Sequence, residues 1–271
     1  MSYSTLMLHL NPNVDNAGLL AIAADFAGRF RSNVVGVALR QAMPMVYAEG
    51  FALDDLIDQD RAATRDEVAA AKAQFEAAMA GVGGKVEWRA ASTTLPLADR
   101  LALEARSADL ILLGAGSDDL RGLNAGDLVL QAGRPVLRVP AGATALRLAH
   151  VMVAWKDSRE TRRAVLDALP LLRQADRVSV VALAAARDLA ATRDHVDDVV
   201  VWLARHAIVA QGEAVLSGGN EIAELDRTAQ DQGADLVVAG AYGHSRLREW
   251  VLGGVTHDLL LHGQRCCFVS H

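Results

Sequence analysis

An internal repeat restricts this chain of 271 residues to two copies of one architecture. The segment 107–115 matches 233–241 at a spacing of 126 residues, and 133–139 matches 263–269 at a spacing of 130 residues. A period this long indicates a duplicated domain, because solenoid repeats are much shorter.

The openings of the two copies also correspond, since the apolar segment 6–11 matches 151–156. Pro140 to Thr144 reads Pro-Ala-Gly-Ala-Thr, a composition typical of a hinge. The sequence therefore predicts two tandem domains, 1–144 and 145–271.

Each half alternates short apolar runs with helical patterns. Strands are predicted near 5–10, 33–39, 85–90, 109–113 and 135–139, and then near 150–155, 177–183, 212–216, 235–239 and 265–269. Helices are predicted near 16–30, 54–80, 95–107 and 125–132, and then near 159–173, 190–208, 220–232 and 254–262, with an insertion over 41–60. Alternation of this kind is typical of an α/β fold, in which helices cover both faces of parallel sheets.

Composition and charge argue against several classes of function. With 27 basic and 33 acidic residues the net charge is −6, which gives no basic footprint for nucleic acid. No apolar run approaches the roughly 18 residues of a membrane helix, and the first residues lack the pattern of a signal peptide. We expect a cytoplasmic protein, with Cys266 and Cys267 as buried small side chains rather than a redox or metal pair. No metal-ligand motif is evident.

A glycine-punctuated loop is predicted after the apolar run 235–239. Gly240 and Gly243 precede nine residues and then Gly253, where a helical pattern begins. Glycines allow a phosphate to approach the backbone, and the first N–H groups of a helix point at the anion. The alternative is a solvated loop whose glycines only make turns.

This loop carries a resemblance to a known family. Gly-x-x-Gly, nine residues and Gly-Ser/Thr is the nucleotide-loop motif of the universal stress proteins, although Gly254 stands here in place of the hydroxyl residue. The string 240–256 resembles a bacterial tandem type of that family. The resemblance covers both halves of the chain and is stronger in the second.

The resemblance implies two doubly wound domains, each with a five-stranded parallel sheet, paired as an intramolecular pseudo-dimer. It also implies a site for ATP or another adenine nucleotide in the second domain. The predicted binding residues are Trp155, Lys156, Asp157, Gly240, Gly243, Arg246, Gly253, Gly254, Val255 and Thr256. Lys156 stands where the family usually has an aspartate, and Asp157 and Ser158 could instead cap the following helix.

The first half departs from the motif because its loop is four residues shorter. Leu123 and Asn124 occupy the places of Gly253 and Gly254, and Asp118 and Asp119 add negative charge where a phosphate would lie. We therefore expect a degenerate nucleotide loop in the first domain.

Three functions remain open at this point. The first is a stress-response sensor or adaptor with a nucleotide site, and the second is a structural interaction protein whose sites have decayed. The third is an enzyme, either a slow ATP hydrolase or an α/β hydrolase in which Ser245 is the nucleophile, although Leu247 replaces the glycine of that motif. No catalytic residue is assigned, and the expected partners are the other domain, a second copy in a homodimer, or proteins that the sequence does not name.

Overall fold

The computed structural model describes residues 2–12, 14–41, 53–114, 123–241 and 264–271, with the backbone alone over 53–64. In the first half the elements are β1 (Thr5–His9), α1 (Ala17–Phe30), β2 (Asn33–Gln41), α2 (Leu53–Met79), β3 (Val86–Thr93), α3 (Leu97–Glu104), β4 (Leu110–Gly114), α4 (Ala125–Ala132) and β5 (Val136–Val139). In the second half they are β6 (His150–Ala154), α5 (Arg159–Leu172), β7 (Arg177–Ala184), α6 (Leu189–Arg205), β8 (Ala210–Leu216), α7 (Glu221–Asp231), β9 (Leu236–Gly240) and β10 (Cys266–Ser270). Single 3-10 turns follow α3 and precede α6.

These elements lie at nearly the predicted positions. The helix predicted near 54–80 is α2, which begins at Leu53, so the last part of the predicted insertion 41–60 is helical. The helix predicted near 254–262 lies outside the described residues. The predicted boundary between 144 and 145 falls in the segment that joins β5 to β6.

The strands form one ten-stranded sheet with the order β3-β2-β1-β4-β5-β10-β9-β6-β7-β8. Every neighbouring pair is parallel except β5 and β10, which run antiparallel with Arg138 opposite Cys267. Each half therefore contributes five parallel strands in the same relative order, and the halves join edge to edge. The predicted α/β fold with tandem doubly wound domains is confirmed.

Hydrophobic side chains are buried on both faces of this sheet. Alternate strand residues belong to different clusters, so that Leu6 and Leu8 pack on one face and Met7 on the other. The first face packs against α1, α2, α5 and α6, and the second against α3, α4 and α7. Burial on both faces explains why the strands are continuous apolar runs.

The two halves repeat details of hydrogen bonding as well as topology. Asp109 Oδ2 accepts from the backbone N–H of Thr5 at 3.0 Å, and its counterpart Asp235 Oδ2 accepts from the N–H of Ala149 at 3.0 Å. In each case an aspartate before the fourth strand of its half fixes the start of the first. The repeat seen in the sequence is therefore structural.

Cys266 and Cys267 lie in β10, are buried and form no disulfide. Burial raises the pKa of each thiol to about 12, so both stay protonated at neutral pH. The prediction that they are buried small side chains is confirmed.

Candidate functional site at the carboxyl ends of β6 and β9

The candidate site lies where β6 and β9 end side by side. The two strands are parallel, with Ala154 opposite Ala239. From β6 the chain continues through α5 to β7 on one side, whereas β9 has β10 as its other neighbour. This is the topological switch point of the second half, the place where open α/β sheets leave a crevice for ligands.

Gly240 ends β9 in close contact with the first turn of α5. A Cβ atom at Gly240 would lie 2.6 Å from the carbonyl carbon of Glu160 and 2.7 Å from Cα of Thr161, and closer still to the Thr161 backbone nitrogen. These are backbone atoms that cannot rotate away. Glycine at this position thus has a packing role that the sequence motif did not reveal.

Side chains of the first turn of α5 cap its own N-terminus. Ser158 is the N-cap residue, and its Oγ accepts from the backbone N–H of Thr161 at 3.3 Å, which confirms the capping alternative for this serine. Burial alone raises the pKa of the Glu160 carboxyl, but hydrogen bonds from Arg159, from the Glu160 backbone N–H and from Ser158 outweigh it and lower the pKa. An ionised carboxylate therefore occupies this helix end, where it would repel a phosphate.

The three residues after β6 point to different neighbours. Lys156 Nζ lies 4.0 Å from Glu221 Oε2 at the start of α7, and both side chains are more than half exposed. Asp157 Oδ1 instead accepts from Arg162 Nη2 at 2.6 Å. Since the Lys156 pair is exposed, it contributes little to stability and leaves the ammonium accessible to an anion.

Trp155 lies on the α5 and α6 side of the sheet. Its backbone N–H donates to Val181 O at 2.7 Å, and its side chain packs against the core. The indole Nε1 is buried with no acceptor among the residues that the structure describes, so packing positions the ring. Trp155 and Asp157 thus line the space between α5 and α6.

The remaining predicted binding residues lie outside the described residues. These are Gly243, Arg246, Gly253, Gly254, Val255 and Thr256. The structure therefore locates Trp155, Lys156, Asp157 and Gly240 of the predicted set, and places Gly240 at the switch point.

The first half differs at the corresponding edge. Leu123 is buried in the core, and the Asn124 side chain accepts from the N–H of Asp127 at 3.0 Å as the N-cap of α4. The residues that replace the paired glycines thus pack and cap a helix. Asp118 and Asp119 lie outside the described residues.

Sequence reasoning missed His9, the last residue of β1. It is 4 % exposed, and its Nε2 has no partner in the described part of the chain. Burial lowers its pKa to about 4, so the ring is neutral at pH 7. The signal was present in the sequence, since a histidine interrupts the apolar run 6–10 where the second half has Ala154.

Within the described ranges, no group of three His, Cys, Asp or Glu side chains is placed to hold a metal ion. None of the described helices is both long and apolar enough to cross a bilayer.

Solved structures of universal stress proteins share this architecture over nearly the whole chain. The protein from Archaeoglobus fulgidus DSM 4304 superposes with a TM-score of 0.73 at 14 % identity, over 98 % of each chain. A protein assigned to the same family from Pseudomonas aeruginosa UCBPP-PA14 gives a TM-score of 0.62 at 15 % identity, over 99 % of this chain and 93 % of the other. No protein-family model and no curated protein matches the sequence. At these identities the likeness shows the fold, and the tandem fold implied by the sequence resemblance is confirmed.

Proposed function

We propose that this chain is a sensor or adaptor of the universal stress type that binds one adenine nucleotide in its second half. The observation that carries the proposal is the position of Gly240. It ends β9 at the topological switch point, and in the sequence it is the first glycine of the predicted loop motif that includes Gly243 and Gly253. A loop that leaves a strand at this point faces the crevice where nucleotides bind in open α/β sheets.

The phosphates would bind to this loop and not to α5. The N-terminus of α5 holds the Glu160 carboxylate, which would repel a phosphate, whereas the segment between Gly243 and Gly253 carries Arg246 and Arg248 against a single acidic residue, Glu249. The exposed ammonium of Lys156 would add a cation at the same edge of the sheet. The other proposed contacts are Arg246, Gly253, Gly254, Val255 and Thr256.

One observation favours the second candidate, an interaction protein without a nucleotide. Asp157 is the carboxylate nearest the family's usual aspartate position, and it already pairs with Arg162 at 2.6 Å. A ribose would have to compete with this ion pair. For the nucleotide-binding protein and for the interaction protein alike, we propose a cytoplasmic location. Of the functions considered, weak ATP hydrolysis is the least favoured.

Gly243→Asp is expected to weaken binding of ATP by at least about tenfold, because it places a side chain and a negative charge where phosphate approaches. Isothermal titration calorimetry with ATP, ADP and AMP measures the effect. Gly28→Asp is the matched control, since Gly28 lies on α1 with open space around its Cβ position.

Wild-type and Gly28→Asp proteins should bind with equal affinity. If the wild type binds none of the three nucleotides, the interaction protein is the better description. If Gly243→Asp binds as tightly as the wild type, the nucleotide site lies elsewhere.

A further inference from the structure

A cavity of about 450 Å³ lies between α5 and α6. Its volume is within the range of small-molecule sites, which is roughly 300 to 1,000 Å³. Two tryptophans and three aliphatic side chains form most of the lining, and four polar side chains join them. The lining residues are Trp155, Asp157, Arg162, Val165, Leu166, His195, Asp198, Val199 and Trp202.

The helical spacing explains why these residues meet. On α6, His195, Asp198, Val199 and Trp202 stand at positions i, i+3, i+4 and i+7, which form one face of a helix. That face is turned toward the α5 residues between 162 and 166. Single substitutions on this face can therefore test the cavity without touching the sheet.

The cavity described here lies in the second half of the molecule. In the first half α1 and α2 pack directly against each other. Leu10 takes the place of Trp155 after β1 there, and it is fully buried. The tryptophan that lines the cavity is thus a difference between two copies of one fold, which points to a role beyond folding.

Of the charged side chains that line the cavity, some are paired with an opposite charge and one is not. The guanidinium of Arg162 is compensated by Asp157, at 2.6 Å. The Asp198 carboxylate, by contrast, has no ion pair or hydrogen bond within the described residues. Asp198 is therefore an exposed carboxylate without a counter-charge, in a lining that also holds the indole rings of Trp155 and of Trp202, the second of which packs against the ring of His206.

We propose that this cavity binds a small organic cation, an ammonium group carried on an apolar or aromatic body. Tryptophan is the side chain that attracts cations most strongly through its ring face, and aromatic cages recognise quaternary ammonium ions. A carboxylate in the same lining adds Coulomb attraction for the cation. The aliphatic side chains of Val165, Leu166 and Val199 accommodate the body. The cavity shares Trp155 and Asp157 with the residues predicted to bind the nucleotide, whereas Asp198 belongs to the cavity lining alone.

The test compares three probes that share a phenyl ring and differ in the charge of the attached group. Benzyltrimethylammonium is the cation, benzyl alcohol is the neutral probe and benzenesulfonate is the anion, each titrated calorimetrically into the full chain. We expect saturable binding of the cation, with the other two at least about tenfold weaker.

Asp198→Asn should weaken binding of benzyltrimethylammonium by about tenfold. Asp197→Asn is the matched control, because it makes the same change on the neighbouring residue, which faces β8 and is not in the cavity lining. Its Oδ1 lies 3.7 Å from the position that a Cβ atom on Gly212 of β8 would take. That change should leave the affinity for the cation within about twofold. Both variants should bind ATP as the wild type does, so that failure here is distinguishable from failure of the nucleotide proposal.

Three outcomes would overturn the proposal. The first is no saturable binding of the cation, and the second is equal or tighter binding of benzenesulfonate, which would make Arg162 and His195 the basis of an anion site. The third is an equal loss of cation affinity in Asp198→Asn and Asp197→Asn.

Discussion

Gly240→Ala is expected to destabilise the protein by about 3 kcal/mol. The new methyl group would lie 2.6 Å from the Glu160 carbonyl carbon and 2.7 Å from Thr161 Cα. Relief requires α5 to move away from β9, which disturbs a helix that packs on β9 and β10. Urea denaturation followed by circular dichroism measures the free energy of unfolding.

Gly114→Ala is the matched control, since Gly114 ends β4 as Gly240 ends β9. A Cβ there would be 3.7 Å from Leu19 Cδ2, an ordinary contact with a side chain. We expect a change of less than about 1 kcal/mol, because alanine also reduces the entropy of the unfolded chain. Equal effects of the two substitutions would contradict the close contact at Gly240.

Acidification is expected to destabilise the folded protein through His9. The folded chain holds this ring neutral down to a pKa of about 4, whereas the unfolded value is 6.5. Between these values the unfolded chain binds a proton that the folded chain does not, so stability falls as the pH falls. At pH about 5 the loss from this residue is roughly 2 kcal/mol relative to pH about 7.5.

His9→Met removes the titrating ring and keeps a side chain that fits an apolar site. The test does not depend on how stable the His9→Met variant is at neutral pH. The difference in free energy of unfolding between pH about 7.5 and about 5 should be smaller than in the wild type by roughly 2 kcal/mol. An unchanged difference would show that His9 is not the group that titrates. His150 retains its own lowered pKa in the variant, so some pH dependence should remain.

The fold was predictable because its information is local and periodic. Apolar runs of strand length, alternating with helical patterns, placed the described elements at nearly their true bounds, and the repeat placed the second domain on the plan of the first. The pairing of the two sheet edges could not be predicted from local pattern in this way. The family resemblance implied that the two halves pair, but the antiparallel contact between β5 and β10 was not predicted, because hydrophobic pattern alone does not say which edges meet.

The site was predictable only where its chemistry is local. The Ser158 cap contacts a residue three positions away, and it was recognised as an alternative. The contact of Gly240 with the backbone of Thr161 joins distant parts of the chain. The same is true of the cavity, in which Trp155, α5 and α6 meet only after folding.

The most direct measurement is a crystal structure of the full chain soaked with ATP, together with the calorimetric stoichiometry. We predict one nucleotide per chain, beside Gly240 at the carboxyl ends of β6 and β9. Two nucleotides per chain, or one nucleotide beside Gly114 in the first half, would contradict a single site in the second half.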